Sequence, residues 1–470
     1  MKAWDWQQLR TALKAKWVWR GTRAYTGHVV TDSRLVQPGD LFVALVGETH
    51  DAHTFLTDVM AKQAGGVVVH QSLIAEQQEA AQRLGVYVLQ VDNTIAALNR
   101  LASAWRQELR ARVVAVSGSN GKTTAKRIVQ ALLAQKMTGV ASPKSFNNNI
   151  GMPLTLLDAG VNAEYVILEV GTNHPGEIAA LAEVARPDVA VITSLGLEHL
   201  EGLGTLAGVA QEEAVIAEFV PAEGTLIIPA AAPELHAYLK RAVAQRITFG
   251  LAGSGADLEA TDIVMTAAGC TFGLNGRGHY TLPLLGRHNV LNGLAAIAVA
   301  RRLGLSEDLI GAGLAEVKPA DMRLELQTHA GHLVINDAYN ANPTSMEAAL
   351  DTLIEFSHPG RKVAVLGDMR ELGVQAPQWH RHVGAYAARV GVQVLITAGP
   401  LMQEAADAAL AQGVEVYACA DAPAAGEQLL RVLQPDDLIL LKGSRGTRME
   451  RALDPLRQRA TTNQDVQVQR

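Results

Sequence analysis

Cysteine is scarce in this chain. Only Cys270 and Cys419 occur among 470 residues, far apart and outside any CxxC spacing. That excludes a disulfide-stapled scaffold and a thiolate metal centre, and leaves ordinary thiols of a reducing compartment. Long apolar runs are also missing. No uncharged segment reaches membrane-spanning length, and the opening MKAWDWQQLRTALKAKWVWRG lacks the continuous apolar stretch of a signal peptide. A soluble, cytoplasmic protein without membrane partners is the expectation. Basic clusters are absent as well. Lys and Arg total 41 against 47 acids, a net charge of −6, so no nucleic-acid partner is expected. Aromatic residues make up only 4%, whereas Gly reaches 42 and Ala is abundant. Small residues let helices pack closely on parallel sheets, which points to an α/β fold. With 48% hydrophobic and 19% charged residues, disorder is excluded and a large core is expected.

The length implies two or three domains, and three regions emerge. The first, 1–88, carries the turn Pro38-Gly39-Asp40, a short apolar strand at 41–46 and a buried strand at 66–69. The second, 89–317, begins with helical spacing of Ile95, Leu98, Leu101 and Trp105. Buried strands then read at 113–116, 165–170, 189–193 and 225–228, with a small β excursion at 247–285. The third, 318–470, has strands at 362–366, 394–397 and 438–441. Strands alternating with helices imply mostly parallel sheets, with ligands at the C-terminal strand ends.

The strongest motif joins the strand at 113–116 to a helix-compatible run: Gly118-Ser119-Asn120-Gly121-Lys122-Thr123-Thr124. A loop there must turn tightly and offer backbone N–H groups to phosphate oxygens. Glycine permits the approach, and the helix N-terminus adds a favourable dipole. Lys122 can reach the β- and γ-phosphates, and Thr123 offers a hydroxyl to Mg²⁺. The strict consensus places a glycine where this chain has Val116, so the match is to a shortened GxxGKT form. A plain Gly-rich turn between strand and helix is the alternative. Glu169 ends its strand beside this loop, where a Mg²⁺ ligand belongs. His199 follows the strand at 189–193; alone, such a histidine is more often a satisfied loop residue than a ligand.

Five stretches occur in order: GSNGKTT from Gly118, GTNHPGE from Gly171, GRHNVLN from Gly286, NDAYNANP from Asn336 and KGSRG from Lys442. Together they resemble the Mur ligases of bacterial cell-wall synthesis, from Asp32 to Glu450. DAYNANPTSMEAAL, VAVLGDMRELG and KGSRGTRME resemble the member that adds D-alanyl-D-alanine to UDP-N-acetylmuramoyl-tripeptide (UDP-MurNAc-tripeptide). The resemblance implies an N-terminal UDP-sugar-binding domain, a central P-loop ATPase domain and a C-terminal Rossmann-like domain. It also implies ATP, Mg²⁺, a monomer, and an amide bond made through an acyl phosphate. By resemblance, Glu169 and Thr123 hold one Mg²⁺ and His199 a second. Asn289 and Asn292 contact the adenine, with His288 nearby. Asp337 lies near the nucleotide and Arg323 at the hinge. Asp32-Ser33-Arg34 resembles the uridine-side loop, and Asn147-Asn148 the stretch meeting the sugar-peptide. Tyr339, Asn340 and Ser444 fall at the dipeptide end. For the polar residues outside the phosphate loop, capping or turn formation is the structural alternative.

Three departures stand out. Many members carry a carbamoylated lysine fourteen positions after the metal-binding histidine; this chain has Glu213 there. Glu213 reads as a built-in carboxylate for the second metal, or equally, with Glu212, as an ordinary charged helix face. Asn149 stands where an acid is frequent, and Met322 where a glycine commonly precedes the arginine. The rival readings are a sister ligase, a folate polyglutamate synthetase, or a nucleotide-dependent switch that needs no amine acceptor.

Overall fold

A computed structural model describes residues 4–47, 50–240, 243 and 245–459. It is an α/β structure with three sheets. The last residues of the 318–470 region lie outside those described.

The central sheet positions the chemistry. Its nine strands run in the order Arg277–Leu282, Gly269–Leu274, Leu258–Thr266, Gln245–Leu251, Thr225–Pro229, Val189–Ile192, Arg112–Ser117, Tyr165–Glu169, Gly139–Ala141. Pairing is parallel except at the first two pairs. The excursion expected at 247–285 is therefore an extension of this sheet. Alternation along Arg112–Ser117 shows why the sheet carries helices on both faces. Val113 and Ala115 pack with Leu98, Leu101, Trp105 and Ile178, whereas Val114 and Val116 pack with Ile128, Leu132 and Leu294. A strand buried on both faces reads as a continuous apolar run.

The N-terminal sheet has the order Lys16–Trp19, Tyr87–Gln90, Gly66–Val69, Leu41–Val43, Val29–Val30. Leu41, Val43, Val68 and Leu89 share one apolar cluster with the helix Thr94–Glu108, which fastens this unit to the central one. The strand expected at 41–46 stops at Val43. The chain then doubles back: Gly47 N–H donates to the His50 carbonyl at 2.8 Å and Val46 bridges Asp51.

The C-terminal sheet has the order Glu325–His329, His332–Asp337, Leu438–Lys442, Lys362–Gly367, Val394–Ala398, Glu415–Cys419. All pairs but the first are parallel. Asp337 is in register with Lys442 at the C-terminal edge, as Val116 is with Glu169 in the central sheet. Among the described residues no helix is long and apolar enough to cross a membrane.

Candidate functional site

The loops leaving both sets of strand ends face a single cleft of about 850 Å³. Its floor is the phosphate loop. Gly118 and Gly121 have φ of +115° and +86°, which L side chains rarely adopt. A Cβ on Gly118 would lie 2.4 Å from Thr193 Oγ1, and one on Gly121 2.4 Å from Asn292 Oδ1. The segment 193–196 holds the loop from behind. Asn120 N–H donates to Ser194 Oγ at 2.9 Å, the Thr193 hydroxyl donates to the Asn120 carbonyl at 2.6 Å, and Gly196 N–H donates to Ser119 Oγ at 2.9 Å. The helix Lys122–Leu133 starts directly from Gly121, so its free N–H groups open onto the cleft.

Lys122 Nζ donates to the Gly118 carbonyl and lies 3.4 Å from Glu198 Oε2. Burial alone would lower its pKa, but Glu198, Glu213 and Glu169 around it raise it above the usual lysine value. Thr123 Oγ1 donates to Glu169 at 3.0 Å and accepts from Arg323 at 3.3 Å. Glu169 is buried and paired with Lys126 at 2.8 Å. Lys126 follows Lys122 by four residues and so shares its helix face. That spacing could have marked it in the sequence.

His199 bridges the two sheets' loops: Nδ1 lies 2.6 Å from Glu371 Oε2 and Nε2 3.7 Å from Glu198. Burial lowers its pKa, but the Glu371 hydrogen bond and Glu198 outweigh that and raise it. Glu371 belongs to the VAVLGDMRELG stretch, but only the folded chain brings it to His199. Glu213 lies beneath the phosphate loop, fully buried. Ser117 Oγ donates to its Oε2 at 2.7 Å, while Oε1 has no partner. Burial pushes its pKa up to about 7, against the pull of Lys122. The charged-helix-face alternative for Glu212 and Glu213 is thereby overturned, because both are buried.

The cleft gathers Ser119, Asn120, Thr124, Asn147, Asn148, His288, Asn289, Asn292, Asp337, Tyr339, Asn340 and Ser444. Asn292 Nδ2 donates to Asn289 Oδ1 at 3.1 Å, and Asn289 Nδ2 donates to the Leu285 carbonyl at 2.8 Å. Burial lowers the His288 pKa to about 4, so its imidazole is neutral near pH 7. The Arg323 guanidinium stacks 4.0 Å over the Tyr339 ring, whose hydroxyl is 2.6 Å from Ser145 Oγ. Lys442, the first residue of the KGSRG stretch, is buried. It bonds Asp337 Oδ2 at 2.5 Å and the Asn340 carbonyl at 2.9 Å, tying the loop 337–342 to its strand. Met322 adopts φ +55°, so the arginine turn keeps the left-handed backbone that glycine commonly supplies, now on a side-chain-bearing residue.

Ser33 and Arg34 are not brought to the cleft. Arg34 pairs with Asp32 at 2.6 Å with its side chain 85% exposed, and the Ser33 carbonyl accepts from Lys62 at 2.8 Å. Among the described residues no three His, Cys, Asp or Glu side chains form a ready metal cluster.

Residues 116–300 match the Mur ligase middle domain, and residues 322–445 match the Mur ligase glutamate ligase domain. The chain is 36% identical to the UDP-N-acetylmuramoyl-tripeptide–D-alanyl-D-alanine ligase of Bacillus subtilis, across 91% of this chain and 92% of that one. It is also 36% identical to the enzyme of that name from Escherichia coli, across 92% and 94%. Among solved structures it is similar to MurF from Acinetobacter baumannii, with TM-score 0.87 and 32% identity over 97% of this chain and 99% of that one. MurF ligase from Thermotoga maritima, solved in complex with ADP, superposes with TM-score 0.81 and 25% identity over 93% and 98%. Two matched domains and likeness to relatives over nine-tenths of the chain show that the chain belongs to the Mur ligase family.

Proposed function

We propose that this chain joins D-alanyl-D-alanine to UDP-MurNAc-tripeptide in an ATP-dependent ligation that yields the pentapeptide, ADP and phosphate. The observation that carries this reading is the meeting of the phosphate loop with the 337–342 and 442–446 loops in one cleft. A carboxylate is a poor acyl donor, because its leaving group would be oxide. A tripeptide carboxylate oxygen attacks the γ-phosphorus, the bond to ADP breaks, and an acyl phosphate forms. The dipeptide amine attacks the carbonyl carbon and the C–O bond to phosphate breaks. Phosphate leaves with the former carboxylate oxygen, and the amine gives up its proton. Lys122 neutralises the transferring charge, and the two walls of the cleft hold the reactants in line.

In the same proposal, Gly118 to Thr124 cradle the phosphates. Asn289 and Asn292 meet the adenine, with Asp337 and Arg323 at the nucleotide. Asn147 and Asn148 meet the sugar-peptide, and Tyr339, Asn340 and Ser444 meet the dipeptide. Ser33 and Arg34 face the uridine end, on the N-terminal unit. The units divide at 1–88, 89–317 and 318–470. In this reading the chain works as a monomer in the cytoplasm.

The residues present fit Mg²⁺. Glu198 Oε1 and Glu213 Oε1 are buried acceptors without partners, and such orphans beside a phosphate loop suit a hard cation. Thr123 and Glu169 would hold one ion, and His199 with Glu213 a second. The metal would supply neutralisation of the phosphate oxygens. Glu213 keeps its carboxylate within the chain, so no bicarbonate is required.

Phosphate release tests the reading. Purified protein is given ATP, Mg²⁺, UDP-MurNAc-tripeptide in its diaminopimelate and lysine forms, and each of D-Ala-D-Ala, D-Glu, L-Ala or no amine. Release that needs both tripeptide and D-Ala-D-Ala, with a pentapeptide by mass, is expected. Release indifferent to the amine, or following a single amino acid, contradicts it.

A further inference from the structure

The helix Leu206–Ala214 carries two adjacent buried carboxylates that point to different loops. Glu213 turns to the phosphate-loop strand. Glu212 turns to the start of the helix Glu177–Ala185, whose N-cap is Gly176 and has no side chain to bond the first N–H groups. Those donors are orphans in any helix unless something else accepts from them. Glu212 accepts from across the fold. Gly176 N–H donates to Oε2 at 2.8 Å and Ile178 N–H to Oε1 at 2.9 Å, with Thr172 Oγ1 donating to Oε1 at 3.4 Å. Its negative charge also meets the positive end of that helix. Glu177 closes the other side, accepting from Asn173 N–H at 2.6 Å and His174 N–H at 3.2 Å.

The loop held this way is a wall of the site. Gly171 lies two residues after Glu169, and its N–H donates to the Asn147 carbonyl at 2.9 Å. A Cβ on Gly171 would lie 2.6 Å from Asn147 Nδ2, so loop and Asn147 are in close contact. Thr172, Asn173 and Glu177 line the cleft with Asn147 and Asn148, whereas Glu212 itself does not.

We propose that Glu212 is a positioning residue for the ligation: it caps a neighbouring helix from outside and so presets the 171–177 loop as the wall for the sugar-peptide substrate. This rests on the reading that Asn147 and Asn148 meet that substrate. The phosphate loop has separate supports at 193–196, and none of those hydrogen bonds involves Glu212.

The test uses the full chain as wild type, Glu212→Ala and Glu212→Gln. Amide hydrogen exchange is followed at 171–178, alongside KM for each substrate. In Glu212→Ala, exchange at Gly176 and Ile178 accelerates and KM for UDP-MurNAc-tripeptide rises about tenfold, while KM for ATP and D-Ala-D-Ala stays within about twofold. Glu212→Gln, which keeps one acceptor oxygen but turns an NH₂ toward a donor, falls between. Unchanged exchange, an equal rise in all three KM values, or a fall in kcat alone overturns the proposal. If Glu212→Ala does not fold, the same split in Glu212→Gln decides. Wild type without tripeptide-dependent turnover contradicts the functional reading; active wild type with indifferent variants contradicts only the role of Glu212.

Discussion

Lys122 sits among Glu169, Glu198 and Glu213, and their charges keep it protonated despite burial. Lys122→Met removes the one cation that the phosphate loop itself supplies. Turnover is expected to fall by on the order of a thousandfold, as for loss of a preorganised charge at a transferring group, with folding intact by circular dichroism. A fall of less than tenfold would contradict the role of Lys122. Glu213 gives a pH prediction. Burial holds its pKa at about 7, above the ordinary glutamate value of 4.5, so its contribution to stability is fully present below 4.5 and is lost as pH rises through 7. In metal-free protein, Glu213→Gln should therefore gain on wild type between pH 5 and 8, by up to about 3 kcal/mol. Parallel melting curves across that range would contradict the buried, proton-retaining carboxylate. At this scale the sequence was legible where chemistry is local. Gly118 to Thr124 are contiguous, and a strand-end glutamate such as Glu169 has a known place beside them. Glu371 and Lys442 were not legible as site residues, because their partners His199 and Asp337 are distant in the chain.

The helix Pro343–Glu355 shows how an element serves the site. Asn342 caps it in a reciprocal box with Ser345, Pro343 starts it, and Asn342 Nδ2 also donates to Asn120 Oδ1 of the phosphate loop at 2.9 Å. Asn342→Ala should cost about 1 kcal/mol of stability in denaturant unfolding, and more than a cap alone if the Asn120 bond contributes. No measurable loss would show that the cap is not used. Elements of this kind were partly readable. The strands Arg112–Ser117, buried after its first residue, and Tyr165–Glu169 and Leu438–Lys442, buried throughout, announce themselves as apolar runs. The edge strands Val29–Val30 and Glu325–His329 are short or half-polar and only partly buried, so composition gives no signal and partner strands decide.

Across the whole molecule, the C-terminal unit is docked over the phosphate loop by polar contacts and by an apolar cluster that joins Leu200, Leu203 and Leu285 to Met346, Leu350 and Leu372. Leu197 N–H donates to Thr344 Oγ1 at 3.2 Å, and His199–Glu371 and Asn120–Asn342 add two more. Removing all three, in Asn342→Ala/Thr344→Ala/Glu371→Ala, should raise the radius of gyration in solution scattering while helix content is kept. An unchanged radius would mean that other contacts set the closure. This arrangement was outside the reach of sequence reading, because no local pattern encodes which loops of two sheets face each other. In the proposed reaction, one cleft activates a carboxylate with ATP and then passes it to an amine. The most direct measurement labels the terminal carboxylate of the tripeptide with heavy oxygen and weighs the phosphate released on ligation to D-Ala-D-Ala. One labelled oxygen in each phosphate is predicted, carried over from the acyl phosphate. Unlabelled phosphate, with pentapeptide formed, would contradict the account.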